Sequence, residues 1–231
     1  MNLPKNRFLH KVFNRLAHEF KPDPNIVKQH DISPHLKFAK RFELESEHIK
    51  RYKSKCISET PKFIDIGGRI GELKDIADGF DYHILELEKN ESNIPGITFI
   101  QSDICKCPDI EDESYDVVYS NNVFEHLERP WDAAKECIRI VKKNGLIIHN
   151  APFAWRYHPC PVDYFRYTSQ GLASLFCSTD QVDTLFSGYD LTHRRNDHRG
   201  GKMEMNLDVP PIDEFGGWRE HWISIFIGMK H

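Results

Sequence analysis

The chain has 231 residues, 39% hydrophobic and 29% charged, with a formal net charge of −4. That length can bury a full core in one sizeable domain, and the mix is ordinary for a soluble globular protein. No apolar run approaches the roughly 20 residues that a membrane span needs, and the six cysteines are scattered without a CxxC.

Cys105-Lys106-Cys107 is only a CxC, too little for a zinc site, so reduced cytosolic thiols and a cytoplasmic location are expected. Charge is uneven. Residues 1–55 carry 13 Lys+Arg against 6 Asp+Glu, which leaves 31 − 13 = 18 against 35 − 6 = 29 for the remainder. The basic N-terminal part can attract polyanions or a membrane surface, but a solvated helical face is the weightier reading and nucleic acid is not the expected partner.

Residues 1–20 place Phe8, Leu9, Val12, Phe13, Leu16 and Phe20 on one side of a helix at 3-4 spacing, with Lys5, Arg7, Lys11 and Arg15 opposite. The segment lacks the Ser richness of a transit peptide and the apolar centre of a signal peptide, so a helix covering part of the main domain is expected. Pro22 and Pro24 break the chain, and Ser33-Pro34 reads as an N-cap with proline at the first helical position. The next helix is expected to turn Phe38, Phe42, Ile49, Tyr52 and Cys56 inward and to end before Pro61. Residues 1–58 thus form a helical N-terminal extension, and 59–231 the main domain.

From Pro61 strand and helix patterns alternate, which argues for a parallel sheet covered on both faces. The pattern predicts strands at 62–66, 82–86, 97–100, 115–119 and 146–149, with a helix at about 70–78 after the first. A helix opening at Pro130 and bearing Ala134, Cys137, Ile138 and Val141 closes at Lys142-Lys143-Asn144-Gly145. Thr168 caps a helix with Leu172, Leu175 and Phe176, and strands at 182–186 and 223–227 complete the sheet. Residues 190–221 between them are polar and rich in Arg, His, Gly and Pro, a length expected of a lid or substrate loop.

Phe63-Ile-Asp65-Ile-Gly67-Gly68-Arg69-Ile-Gly71 is the stretch that points to a ligand. A short apolar strand meets Asp and then glycines, where a ligand touches backbone and a left-handed φ costs nothing. The helix that follows aims unpaired N–H groups and a positive dipole end at the turn. A nicotinamide dinucleotide site needs glycines at 67, 69 and 72, but Arg69 and Glu72 stand there. None of the eight tyrosines has Lys four residues on, so the short-chain dehydrogenase pair is missing too.

Residues 61–150 resemble a class I S-adenosylmethionine-dependent methyltransferase core of the small-molecule, type 11-like group. The resemblance rests on Asp65-Ile-Gly67-Gly68-Arg69-Ile-Gly71, Glu86, Ser102-Asp103-Ile104 and Tyr119-Ser-Asn121-Asn122-Val-Phe-Glu125-His126, in the family's order and spacing over about 90 residues. It implies a Rossmann-like α/β/α sandwich with a seven-stranded, mostly parallel sheet whose last strand is antiparallel. It also implies S-adenosylmethionine as cofactor and S-adenosylhomocysteine as product. Glu86 would accept the ribose hydroxyls and Asp103 the adenine amino group, with Leu87 and Ile104 on the two ring faces. Asp65 and the Gly67–Gly71 backbone would hold the methionine end, with the Asn121 carbonyl beside the sulfonium. Arg69 departs from the pattern, standing where the middle glycine usually lies.

After the fifth strand, Trp155-Arg-Tyr-His158-Pro-Cys-Pro-Val-Asp163-Tyr164-Phe-Arg166-Tyr-Thr168 resembles a segment of methyltransferases from polysaccharide biosynthesis clusters. Its polar groups suit a hydroxylated acceptor, so O-methylation of a sugar hydroxyl of a glycan or nucleotide sugar is expected. Another small-molecule acceptor, a nicotinamide oxidoreductase and an inactive methyltransferase-like scaffold are the alternatives. His158 and His126 are the candidate bases. Asp163 would orient one of them, pair structurally with its neighbours, or ligate a metal if the chemistry is metal-assisted. Spacing alone identifies no metal-ligand set. Tyr164, Arg166 and Trp218 are candidate acceptor contacts, Trp218 through a stacking face. No pattern speaks to the oligomeric state.

Overall fold

The computed structural model describes residues 37, 39–68, 73, 75–88, 94–155, 157–159, 161–178, 180–190 and 222–231. The expected helix at 1–20, the Ser33-Pro34 start, Arg69, Gly71, the 191–221 segment and Trp218 lie outside them. Seven strands form one sheet: β1 Lys62–Ile66, β2 Asp81–Glu86, β3 Ile97–Gln101, β4 Tyr115–Asn121, β5 Val141–Ala154, β6 Val182–Asp190 and β7 Trp222–Lys230. Their order is β3-β2-β1-β4-β5-β7-β6, with β1 to β5 parallel and β7 running antiparallel between β5 and β6. The α/β fold with an antiparallel last strand is therefore the one expected. Among the described residues three helices flank the sheet: α1 Arg41–Lys53, α2 Pro130–Ile140 and α3 Ser169–Cys177.

Period-two alternation assigns side chains to two apolar layers. Ile64, Ile66, Leu85, Val118 and Ile147 pack with Ala133, Ala134 and Cys137 of α2 and with Leu172 and Phe176 of α3. Phe63, Tyr82, Ile84, Val117, Tyr119 and Ile148 point the other way and pack with Ile49 of α1 and with Leu73, Ala77 and Phe80. The central strand β4 is buried from Tyr115 through Ser120, as a parallel strand covered on both faces must be. The Thr168 hydroxyl accepts from Gly171 N at 2.9 Å and starts α3 where the cap predicts.

Four local expectations need correction. α1 begins at Arg41, because the backbone at 37 and 39 pairs with Tyr189 of β6 (2.8 and 3.0 Å) in place of entering a helix. Its buried stripe is Arg41, Glu45 and Ile49, whereas Phe42 is 45% exposed under the Arg41 guanidinium. The described part of the expected helix at 70–78 is turn, held by Ala77 N donating to Leu73 O. α2 stops at Ile140; the chain goes directly into β5, and Asn144 at φ +61° makes the bend inside that strand.

His149 of β5 lies in an aromatic stack, 4.5 Å from Phe176 and 4.7 Å from Phe124 between ring centres, and Phe176 continues at 5.0 Å to Phe226. Burial pushes the His149 imidazole down to about 3, so it packs as a neutral ring joined to the Ser120 hydroxyl. Phe176→Ala is expected to lower unfolding free energy by about 3–5 kcal/mol in denaturant melts, through lost transfer energy and the cavity left behind.

Candidate functional site

The register of the parallel strands brings Ile66, Glu86 and Asn121 to one edge of the sheet, the edge where folds of this type bind ligands. After β1 the chain turns at Gly67, with φ +72° and its N–H donating to Leu85 O at 2.8 Å. A Cβ on Gly67 would stand 2.7 Å from Val123 Cγ2, and one on Gly68 only 2.3 Å from Asp65 Oδ2. Glycine is thus imposed twice: by the left-handed backbone at 67 and by the carboxylate beneath 68. Asp65 is buried and accepts from the Tyr82 hydroxyl at 2.6 Å, which fixes it under the turn.

Glu86 ends β2 half-buried, and its carbonyl accepts from Ser102 N at 2.9 Å, which brings the end of β3 alongside. Asp103 then follows, its Oδ1 accepting from Cys105 N at 2.8 Å. Ile104 is buried in the core, and Leu87 stands 68% exposed beside Glu86. At the end of β4, Asn121 Oδ1 accepts from Arg41 Nη1 at 2.8 Å. Asn122 has φ +55°, and its buried Oδ1 has no hydrogen-bond partner among the described residues.

A second group of residues meets on the loops beyond β4 and β5. Phe124–His126 is a single 3-10 turn. It is pinned by the following segment: Tyr164 N and Phe165 N donate to Glu125 O, and the Tyr167 hydroxyl to Phe124 O. Glu125 is fully buried, with Oε1 3.7 Å from His126 Nε2 and 3.5 Å from His158 Nε2. The two imidazole rings are 5.1 Å apart, and Trp155 stacks on His158 at 5.1 Å. His126 Nδ1 lies 2.6 Å from Val162 O. A carbonyl can only accept, so Nδ1 carries the proton and the lone pair sits on Nε2.

Asp163 is held by the His158 backbone N–H at 2.8 Å and by a two-pronged contact with Arg166 Nη1 and Nη2. Burial works to raise this carboxyl, but the hydrogen bonds from Arg166 and His158 outweigh it and leave it below the usual carboxylate range. Arg166 donates further to the carbonyls of Trp155 and Phe165, so its fork ties the segment together. Tyr164 presents an exposed ring nearby in sequence.

The structure therefore groups His126, His158 and Asp163, and separately aligns Asp65, Gly67, Gly68, Glu86, Asp103 and Asn121 along the sheet edge. Sequence reasoning missed Glu125 as part of the first group, although it stands next to His126 in the same turn. It also missed Arg41 and Glu45, whose i, i+4 spacing reads like any solvated helical ion pair. Glu45 is buried, accepting from the Asn150 side chain at 2.7 Å and the Tyr119 hydroxyl at 3.0 Å, while Arg41 lies 4.0 Å from Asp190. A cavity of about 740 Å³, lined in part by Tyr52, Asp116, Lys142 and Met229, sits at the opposite end of the strands, away from both groups.

Residues 75–149 match the family model for a methyltransferase domain. An uncharacterized methyltransferase of Mycobacterium ulcerans is 30% identical over 94 residues, which cover 37% of this chain and about a third (36%) of that relative's length. Among solved structures, an S-adenosylmethionine-dependent methyltransferase from Mesorhizobium loti superposes with a TM-score of 0.52 at 10% identity, covering 78% of this chain and 96% of that one. The [4+2]-cyclase SpnF superposes at 0.53 with 12% identity, covering 80% of each. The fold is that of class I methyltransferases. Fold and domain match together imply S-adenosylmethionine, with S-adenosylhomocysteine as its product, as the cofactor.

The residues present fit that group. The glycine turn follows β1 at the ligand-binding edge of the sheet, a carboxylate closes β2 at the same edge, and Asn122 Oδ1 is a buried acceptor without a donor among the described residues.

Burial raises the Glu45 carboxyl to about 7, against the charge of Arg41 and the bonds from Asn150 and Tyr119. A carboxyl that is harder to ionise folded than unfolded stabilises the protein fully below its unfolded value near 4.5, and this stabilisation is lost as pH rises to about 7. The span corresponds to on the order of 3 kcal/mol. Glu45→Gln keeps an acceptor for Tyr119 and cannot ionise. Melting temperatures from pH 5 to pH 8 should fall more steeply in the wild type than in this variant.

Proposed function

We propose that this chain is an S-adenosylmethionine-dependent methyltransferase that methylates a hydroxyl of a sugar, in a glycan or a nucleotide sugar. The observation that carries the reading is the pair of imidazoles converging on Glu125 at the loops just beyond a cofactor-type glycine turn. The resemblance of 155–168 to segments from polysaccharide biosynthesis clusters supports the sugar acceptor, and the exposed Tyr164 ring adds a face for it.

S-Adenosylmethionine supplies an electrophilic methyl group on a positively charged sulfur. In this reading Glu86 accepts from the two ribose hydroxyls, each such charge-assisted bond contributing about 1.5–3 kcal/mol. Asp103 accepts from the adenine amino group, Leu87 and Ile104 cover the ring, and Asp65 with the Gly67–Gly71 backbone receives the methionine end. The Asn121 carbonyl faces the sulfonium. Arg41, bonded to the Asn121 side chain, sets the position of that strand end.

A sugar hydroxyl is a weak nucleophile at neutral pH, so its proton needs a destination. His158 Nε2 accepts it, and the Glu125 carboxylate 3.5 Å away offsets the charge that develops on the ring. Asp163, 3.4 Å from His158 Nδ1, orients the same ring from its other side. His126 Nε2 faces the same carboxylate and is the second candidate for this role. Trp155 limits rotation of the His158 ring by stacking on it.

Calorimetric titration with S-adenosylmethionine, S-adenosylhomocysteine, NAD and NADP tests the cofactor; binding of the first two alone is expected. Glu86→Ala should weaken that binding by at least ~10-fold, the loss of one charge-assisted bond or more. His158→Ala should lower kcat by more than ~10-fold, within the range of a positioned general base, while cofactor affinity stays close to wild type. Labelled methyl transfer to a panel of glycans and nucleotide sugars, beside non-sugar small molecules, tests the acceptor. Transfer only to the non-sugar set would sink the sugar reading and keep the methyltransferase.

A further inference from the structure

We infer that Glu125, His126 and His158 form a binding site for one divalent transition-metal cation, with Zn²⁺ the ion that the ligand set suits best. One carboxylate oxygen and two imidazole nitrogens, all within 4.8 Å of one another, come from a turn and a loop held together by backbone hydrogen bonds. A tetrahedral ion with bonds of about 2.0–2.1 Å spaces its ligand atoms at about 3.3 Å. The distances of 3.5 and 3.7 Å from Glu125 Oε1 to the two Nε2 atoms need to close by only a few tenths of an ångström.

Two independent observations point to a cation. Glu125 is wholly buried, and neither of its oxygens receives a hydrogen bond from the described residues. An ionised carboxylate in that condition is costly unless positive charge meets it. The second is the orientation of His126. Its Nδ1–H is committed to the Val162 carbonyl, so Nε2 carries a lone pair 3.7 Å from the carboxylate oxygen, a repulsive pairing unless something positive lies between. A proton on each ring is a poor answer, since 3.7 Å is too long for a hydrogen bond and two imidazolium rings would stand 5.1 Å apart. A single cation answers both problems. The carbonyl behind His126 and the carboxylate of Asp163 behind His158 are the outer partners that metal-bound histidines commonly have.

Two imidazoles select a transition ion over Mg²⁺, which prefers all-oxygen shells and keeps its waters. Three protein ligands leave a fourth position for an oxygen of water or of an acceptor. With the ion bound, His158 Nε2 would be a ligand and not a base, and an acceptor oxygen in the fourth position would lose its proton to solvent through coordination; that part in methyl transfer rests on the function proposed above, but the binding does not.

The full chain, stripped with chelator and desalted, is titrated with Zn²⁺ and separately with Mg²⁺ by calorimetry, and its zinc content after a second desalting is measured by mass spectrometry. One equivalent of Zn²⁺ and no saturable Mg²⁺ are expected, with affinity falling by more than ~100-fold in Glu125→Gln and in His126→Ala, a larger loss than outer-partner changes cause. Co²⁺ in the wild type should give the intense visible bands of a four- or five-coordinate site, a readout that stands even if a variant fails to fold. Absence of stoichiometric zinc, weak six-coordinate cobalt bands, or unchanged affinity in folded variants overturns the inference. S-Adenosylmethionine titrations of the same samples separate the two readings. Cofactor binding without zinc sinks only the metal site, and zinc without cofactor binding sinks only the methyltransferase.

Discussion

Backbone pairing of β4 with β1 on one side and β5 on the other is the constraint on which both halves of the site depend. A parallel strand covered on both faces has no alternative partners for its N–H and C=O groups, so its register is fixed by hydrogen bonding as well as by packing. From that register follow the position of Asn121 beside the glycine turn and the bond from Asn122 N to Asn150 O that extends the pairing one step beyond the strand. The 3-10 turn carrying Glu125 and His126 leaves β4 immediately afterwards. The segment after β5 is then fastened to that turn by three bonds onto the carbonyls of Phe124 and Glu125. The two loops that bring His126 and His158 to Glu125 are thus extensions of the same ladder.

The polar interior behind Asn121 has a related logic. Glu45 and Arg41 of α1, Tyr119 of β4, Asn150 of β5 and Asp190 of β6 come from four elements and meet in a space closed to water. Such a network contributes little net stability compared with an apolar core of the same volume, yet removing one member strands the rest. Its consequence is positional. α1 is held by directional bonds to the ends of β4 and β5, so the Arg41 guanidinium reaches Asn121 at a set distance. Apolar packing by Ile49 alone would leave the helix free to slide or rotate.

Much of the sheet was legible because alternation and short apolar runs report burial directly. β1, β2 and β3 lie within about one residue of the positions their sequences predict, and Thr168 caps α3 as its chemistry demands. The failures share a cause. α1 is turned so that Arg41 and Glu45 face inward, a choice made by Tyr119 and Asn150, which are more than 70 residues away in sequence. Asn144-Gly145 reads as a helix stop, but the chain was already extended at Val141, where pairing with Tyr115 overrides the propensity of the preceding turn. Of the site, the glycine turn and the strand-end carboxylates could be found by spacing, since they depend on one strand each. The meeting of His158 with Glu125 could not, because it depends on how two loops close over each other.

The three described histidines of this region show how little the residue type decides by itself. His149 sits on a core strand between Phe124 and Phe176, and burial holds it neutral, a flat polar-edged ring used for packing. His126 and His158 differ in having a buried carboxylate in front of them and fixed partners behind. A carboxylate without donors among the described residues attracts positive charge, and His126, whose Nδ1–H is already given to Val162 O, can offer only Nε2 to meet it. Proton or metal ion, whatever fills that point is held on loops, while the groups suited to the cofactor stand on strand ends. Such a division lets a fold shared with proteins of different chemistry keep one ligand site rigid and vary the other.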